Sequence, residues 1–212
     1  NNSQIIYLGF SRGAGLYKST NGGSRWTAAN AGLNNLDAKS VNRIEIDRNN
    51  TSILYLATDD GLYKSTNSAG NWTLAYSALD SGGKRLTVNH VRLNPANSQE
   101  VYIANPHTDP NGALLASAGI LKSTDGGLTW TNVLPGKNAS SVRVSQGGEI
   151  YAGISAAVGQ SAVFRSTDGG ATWQDYSGGL LGSDYAAFGI DPNSDRVLSV
   201  ALENGFYTLP VS

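Results

Sequence analysis

The chain has 212 residues, 40% of them hydrophobic, which is enough for a sizeable core and argues against a disordered chain. Its formal net charge is -1, and the scattered lysines and arginines form no basic stripe for nucleic acid. No apolar run is long enough to span a bilayer, so we expect no membrane insertion. The absence of cysteine excludes disulfides and thiolate metal sites, and we expect no cofactor. The absence of methionine indicates a processed or excised product.

An eight-residue phrase occurs four times along the chain, at intervals of about 43 to 58 residues, a spacing typical of propeller blades. A short Asp or Asn can bond to backbone, and glycines supply positive φ, so each phrase is predicted to be a hairpin turn. A tryptophan then begins the outgoing strand and is expected to cover the turn. The four copies are Ser19–Trp26, Ser65–Trp72, Ser123–Trp130 and Ser166–Trp173.

Between these phrases, short β-branched and aromatic runs such as Ile53–Ala57 and Ile150–Gly153 predict strands buried on both faces. Aligning the runs gives four strand types per repeat. The first repeat lacks its innermost strand, and the fifth ends after its third strand. The five blade equivalents cover about residues 4–30, 41–76, 87–134, 140–176 and 186–210.

Two closures fit this count of strands. One is a five-bladed ring with an imperfect seam, and the other is the C-terminal part of a larger propeller of about six to eight blades. Missing strands would leave exposed sheet edges, which proteins normally pair or close. We therefore expect that sequence before Asn1, or a partner, completes the ring.

The phrase resembles the Asp-box, or bacterial neuraminidase repeat, whose pattern is Ser-x-Asp-x-Gly-x-x-Trp. Two copies match fully, whereas two carry Asn in place of Asp, and one of these also has Ala69 in place of Gly. The resemblance implies an all-β fold, a β-propeller of four-stranded antiparallel blades, as in sialidases, xyloglucan-hydrolysing glycosidases, sortilin-like receptors and photosystem assembly factors. It implies structural roles for Asn21, Trp26, Asn67, Trp72, Asp125, Trp130, Asp168 and Trp173.

In such a propeller the boxes mark the face opposite the one that usually binds. The predicted binding face carries the connectors 30–39, 76–85, 135–138 and 177–185, together with an insertion at 105–117. Within the insertion, His107, Asp109 and Asn111 are candidates for ligand contact, although they fall short of a recognisable metal site. A plain surface loop is the alternative.

Polar residues of the innermost strands form a second constellation. Equivalent positions hold Arg43, His90 and Ser141 in one row, and Glu45, Arg92 and Arg143 in another. One interpretation is a funnel that binds a carboxylate or polar sugar through Arg92 and Arg143. The other is a belt of ion pairs and hydrogen bonds between blades, with Glu45 neutralising an arginine.

A glycosidase is the main enzymatic alternative. The chain has arginines and spare tyrosines at Tyr76, Tyr176 and Tyr185 but no sialidase-type Arg-Ile-Pro motif. A xyloglucanase-like site would need two carboxylates, one protonated, for which Asp37, Asp80 and Asp184 are candidates. These aspartates also suit ordinary turns.

The sequence therefore favours a non-catalytic recognition or scaffold module. We expect it to bind protein or carbohydrate through the face opposite the boxes, with Tyr185 among the candidate contacts. Other parts of a larger polypeptide or assembly are further candidate partners. Composition favours a bacterial protein at the cell surface, outside the cell or in the periplasm. The alternative is the propeller part of a secreted glycoside hydrolase.

Overall fold

A computed structural model describes residues 4–109, 111–155, 162–178, 187–190, 197–202 and 205–210, with side chains described as far as residue 178. Throughout these ranges the regular elements are β-strands joined by turns, and no helix occurs. The prediction of an all-β fold is therefore confirmed. The chain divides into two units, Asn1–Val88 and Asn89–Ser212.

The first unit contains two antiparallel sheets in which neighbouring strands follow chain order. The three-stranded sheet consists of β1 (Ile6–Phe10), β2 (Gly15–Ser19) and β3 (Thr27–Ala28). The four-stranded sheet consists of β4 (Val41–Ile46), β5 (Leu54–Thr58), β6 (Gly61–Ser65) and β7 (Thr73–Tyr76).

The second unit contains three antiparallel sheets, again in chain order. The first consists of β8 (His90–Asn94), β9 (Asn97–Asn105), β10 (Gly119–Ser123) and β11 (Thr131–Pro135). The second consists of β12 (Ala139–Val144), β13 (Ile150–Ile154), β14 (Val163–Ser166) and β15 (Gln174–Asp175). The third consists of β16 (Ala187–Ile190), β17 (Val197–Leu202) and β18 (Gly205–Pro210).

The second strand of each four-stranded sheet lies at the centre of the core. All residues of β5 and β13 are buried, as expected for strands covered on both faces. Strands β6 and β10 each begin with a glycine because the following strand passes close by. A Cβ on Gly61 (φ 123°) would collide with the Tyr76 carbonyl oxygen, and one on Gly119 (φ 133°) with that of Leu134.

The core of each unit joins consecutive sheets. In the first unit, Leu16 of β2 belongs to the same buried cluster as Leu54 of β5 and Trp72. In the second unit, Tyr102 of β9 and Val142 of β12 share another cluster. Burial of these apolar side chains is the main source of stability in sheets that are only four strands wide.

In each of the four sheets whose side chains are described, a tyrosine faces a basic residue on the next strand along the chain. The cross-strand pairs are Tyr7–Lys18, Tyr55–Lys64, Tyr102–Lys122 and Tyr151–Arg165. The three lysine ammonium groups lie 5.4 to 5.5 Å from the ring centroids, which is within cation–π range. The repeat therefore extends from the turns into the strand interiors.

The four tryptophans differ in burial. Trp72 is 2% exposed and its indole Nε1 donates to the Ala29 carbonyl of the preceding sheet at 2.9 Å. Trp173 is half-buried and donates to the Val133 carbonyl at 2.8 Å. Trp130 is half-buried, and Trp26 is 37% exposed. The burial of each tryptophan thus depends on the packing surface and the carbonyl acceptor that the neighbouring sheet offers.

We expect Trp72→Ala to lower the free energy of unfolding by about 3 to 5 kcal/mol, because it leaves a large cavity between two sheets. Trp72→Phe keeps most of the packing and should cost less. Trp26→Ala, at an exposed position of the same phrase, is the matched control and should cost under about 1 kcal/mol. Urea unfolding at neutral pH measures all three, and similar losses for Trp72→Ala and Trp26→Ala would contradict this assignment.

Candidate functional site

The repeated phrases form four turns with the same hydrogen bonds, here called the Ser-Asx turns and comprising residues 19–26, 65–72, 123–130 and 166–173. The serine hydroxyl donates to the Asx Oδ1 atom at 2.7 to 3.0 Å in every copy. The serine oxygen accepts from the backbone amide four residues later, at 2.8 to 3.0 Å. The Asx Oδ1 accepts likewise, from Arg25, Asn71, Thr129 and Thr172, at 2.8 to 2.9 Å. Two short side chains therefore hold the whole turn.

The copy that departs furthest from the pattern keeps this geometry. Ser68 and Ala69 adopt φ values of 58° and 64°, in the left-handed region where the other copies have glycines. Ser65 and Asn67 nevertheless make the same bonds as their counterparts. The hydrogen bonds of the turn thus stabilise φ values that residues other than glycine rarely adopt.

The Asp copies contain one bond that the Asn copies lack. Thr129 Oγ1 donates to Asp125 Oδ2 at 2.5 Å, and Thr172 Oγ1 donates to Asp168 Oδ2 at 2.6 Å. These hydroxyl donors, with the backbone amides and serines, hold the pKa of Asp125 well below its usual range and lower that of Asp168 to about 2. In the Asn copies, Arg25 and Asn71 occupy the position of these threonines.

The other end of the first unit carries a polar cluster built from three segments. The antiparallel order places the loop at residues 59–60 opposite the Ser-Asx turn between β6 and β7. The Val88 amide donates to the Thr58 carbonyl at 2.9 Å, and the Asp59 amide donates to the Ser40 carbonyl at 3.2 Å. We call this region the polar end, and it comprises Asp37, Asn42, Asp59, Asp60, Tyr63, Asp80, Lys84 and Arg85.

Asp60 is the buried centre of the polar end. It is 6% exposed, accepts a short hydrogen bond from the Tyr63 hydroxyl and lies 3.1 Å from Arg85 Nε. Burial and the Asp60 carboxylate raise the pKa of Tyr63 well above its usual range, so the phenol stays protonated. Tyr63 is thus a hydrogen-bond donor and lacks the phenolate character of a nucleophile.

Two of the three predicted catalytic aspartates lie at the polar end. Asp37 Oδ2 is 3.1 Å from Lys84 Nζ, and this contact raises the pKa of Lys84. Asp80 Oδ1 accepts from the Gly82 and Lys84 amides at 2.8 and 2.9 Å and closes a small turn. Asp184, the third candidate, lies outside the described residues, as does the binding candidate Tyr185.

The insertion in the second unit repeats this small turn. Asp109 Oδ1 accepts from the Asn111 and Ala113 amides at 2.9 and 2.8 Å, the bonding pattern of Asp80. His107 is 3% exposed, and its Nδ1 lies 2.9 Å from Ser117 Oγ. Of the three predicted contacts, Asn111 is exposed, Asp109 closes a turn and His107 belongs to the interior.

The strand register aligns the predicted polar rows. Glu45, Arg92 and Arg143 pair with the second-strand tyrosines 55, 102 and 151. Arg43, His90 and Ser141 pair with Ala57, Ala104 and Gly153. All six lie on first strands, as the alignment predicts.

Within the second unit, two of these residues meet across neighbouring sheets. Arg143 Nη1 lies 2.6 Å from His90 Nε2 and also donates to its neighbouring Val142 carbonyl at 2.9 Å. Because arginine only donates, His90 Nε2 is the unprotonated ring nitrogen. This contact between the two rows favours their interpretation as a belt, which here joins strands β8 and β12.

Sequence reasoning missed Asp60, Tyr63 and Arg85. The signal was present, since Asp60 directly precedes the repeated Gly-Leu-Tyr strand start, but their meeting depends on tertiary contacts. Among the described residues, no cluster of His, Asp or Glu has the arrangement of a metal site. The same part of the chain contains no helix long and apolar enough to cross a membrane.

No family model and no curated protein matches the chain. Solved structures do. A GH74 enzyme of Niastella koreensis matches with a TM-score of 0.68 and 25% identity, over 89% of this chain and 30% of the enzyme. The extracellular domain of a one-component system of B. thetaiotaomicron matches with a TM-score of 0.70 and 14% identity, over 98% of this chain and 26% of that one. YCF48 bound to a D1 peptide matches with a TM-score of 0.59 and 13% identity, over 98% and 66%.

These similarities show that the fold is that of β-propeller proteins, as predicted. The chain spans about a quarter to a third of the length of the GH74 enzymes and the extracellular domain that it matches.

The low pKa of Asp168 makes part of the stability dependent on pH. Because the folded value of about 2 lies below the ordinary 3.8, this stabilisation is complete above pH 4 and is lost as pH falls through 2. We expect Asp168→Asn to flatten the fall of the thermal midpoint between pH 4 and 2. Thr172→Val, which removes one donor, should flatten it partly. An unchanged acid profile in both variants would contradict this role.

Proposed function

We propose that the chain is a non-catalytic recognition or scaffold module, outside the cell or at its surface, that binds protein or carbohydrate through the sheet ends opposite the Ser-Asx turns. We further propose that these turns are Asp-boxes and that the chain is one propeller domain or part of a larger one. The polar end of the first unit is the observation that carries the proposal.

The polar end combines a rigid base with accessible charges. Asp60 is buried and its Oδ1 lies 3.1 Å from Nε of Arg85, whose side chain is 38% exposed. Lys84 and Asp37 are more exposed, at 67% and 44% of their side chains. An arginine oriented by a buried carboxylate suits bidentate recognition of an acidic or hydroxyl-rich partner. Such pre-organisation lowers the entropy cost of binding.

The carboxylates at the polar end are engaged in ways that suit binding better than catalysis. Asp37 pairs with Lys84, Asp80 holds two turn amides, and Asp60 binds a protonated tyrosine and an arginine. A glycosidase requires one carboxyl group that can give its proton to a leaving group. In this arrangement the same groups support the shape and charge of a surface.

The second candidate is the propeller part of a secreted glycoside hydrolase. It is favoured by the 25% identity to the GH74 enzyme of N. koreensis over 89% of this chain. Because the chain spans 30% of that enzyme, residues supplied by a longer polypeptide would be needed to complete a comparable cleft.

Glycan and peptide arrays, followed by interferometry on the ligands found, test the proposal. We expect Lys84→Glu to weaken binding at least tenfold, since it reverses an exposed charge at the polar end. Arg48→Glu is the matched control, because Arg48 lies in the loop between β4 and β5 at the other end of the same sheet. If the ligand binds through the polar end, the affinity of the Arg48→Glu variant should stay within about twofold of that of the unchanged protein.

Three outcomes would contradict the proposal. These are no binding on either array, equal losses in the two variants, and an unchanged affinity for Lys84→Glu. A bound glycan should also remain intact. Release of reducing ends that Asp37→Asn abolishes would establish the glycoside hydrolase in its place.

A further inference from the structure

A cleft of about 330 Å³ lies between the first two Ser-Asx turns, within the first unit. It is therefore at the opposite sheet end from the polar end and independent of the function proposed there. Its volume is at the lower limit of the roughly 300 to 1,000 Å³ usual for small-molecule sites. The side chains that carry its chemistry are Lys18, Asn21, Arg25, Thr27, Asn30 and Asn67.

Lys18 is charged but has no carboxylate partner among the described residues. Its Nζ donates to the Ser68 carbonyl at 2.8 Å and lies 5.5 Å from the centre of the Tyr7 ring. The equivalent Lys122 has Glu100 at 3.6 Å. Glu100 stands two residues before the tyrosine of its strand, where the first sheet has Ile5. Glu149 holds the same position in the fourth sheet and Ile53 in the second, so the first two sheets have an apolar side chain where the next two have a carboxylate.

The two turns that flank the cleft are the Asn copies. Asn21 and Asn67 each use Oδ1 to accept from the serine hydroxyl and from a backbone amide. Each side-chain amide therefore presents Nδ2, a donor, where Asp125 and Asp168 present a second carboxylate oxygen. The Asx side chains beside the cleft are consequently neutral, whereas those of the other two turns each carry a negative charge.

Arg25 adds a second cation. It occupies the position that Thr129 and Thr172 hold in the Asp copies, and its side chain is exposed. The residues lining the cleft thus include an ammonium, a guanidinium and three side-chain amides but no carboxylate. Asn21 and Asn67, in place of the aspartates of the other two turns, leave the lining residues without negative charge, so Lys18 and Arg25 make the cleft electropositive.

We infer that this cleft binds the carboxylate group of an acidic saccharide. Arg25 suits a planar carboxylate because its guanidinium can donate two parallel hydrogen bonds, and Lys18 adds a point charge. Thr27 and Asn30 supply the hydroxyl and amide groups that sugar hydroxyls require. The polar lining and small alanines, and the absence of an aromatic ring from the lining residues, do not suit an apolar ligand.

Calorimetry with digalacturonate in low salt tests the inference, with neutral galactobiose and sodium sulfate as comparison ligands. We expect digalacturonate to bind and galactobiose to bind at least tenfold more weakly. Arg25→Gln and Lys18→Met should each weaken digalacturonate binding at least fivefold. Arg48→Gln, an exposed arginine in the same unit but outside the lining, should leave the affinity within about twofold.

The sharpest variant restores the repeat. Asn21→Asp with Asn67→Asp should fold normally, because Asp125 and Asp168 occupy the same turn geometry, and should abolish binding through charge repulsion. Thermal unfolding checks that the variant is folded. Unchanged binding in the folded double variant, or equal losses in Arg25→Gln and Arg48→Gln, would overturn the site. Sulfate binding as tight as digalacturonate binding would overturn the assignment to an acidic saccharide.

Discussion

The hydrogen-bond network of the Ser-Asx turn is the constraint on which the rest of the structure depends. Two side-chain oxygens, from a serine and from the Asx residue two positions later, accept the backbone amides of a tight turn at 2.8 to 3.0 Å. The turn fixes where the third strand ends, and its tryptophan starts the fourth. In two copies the indole then bonds to the preceding sheet, Trp72 to Ala29 and Trp173 to Val133. A local polar motif thereby positions contacts between sheets.

Because the turns hold one end of four of the five sheets, chemical variation is tolerated in two places. At the opposite end, connectors bring Asp60, Tyr63 and Arg85 together over a buried base. At the turns themselves, the Asx residue can change between Asp and Asn without loss of the shared bonds, and this exchange alters the charge. The first unit varies both in its connectors and in the Asx residues of its turns, so its two ends present different electrostatic surfaces.

Much of the fold follows from the sequence because its signals are local and repeated. Strand types, turns and the equivalence of Glu45, Arg92 and Arg143 all derive from a pattern that alternates along a strand. The burial of Trp72 and the exposure of Trp26 could not be predicted, since they depend on the neighbouring sheet. The cluster around Asp60 and the cleft beside Lys18 were missed for the same reason. Each joins residues that are close in space and far apart in the chain.

Amide hydrogen exchange at the turns tests the central claim most directly. The amides of Arg25, Asn71, Thr129 and Thr172 lie in exposed turns yet donate to the Asx side chain. If that network organises the sheets, exchange at these four amides should be slowed about a hundredfold or more, approaching the protection of the strands. Exchange as fast as in an unstructured peptide, with the strands still protected, would contradict the account.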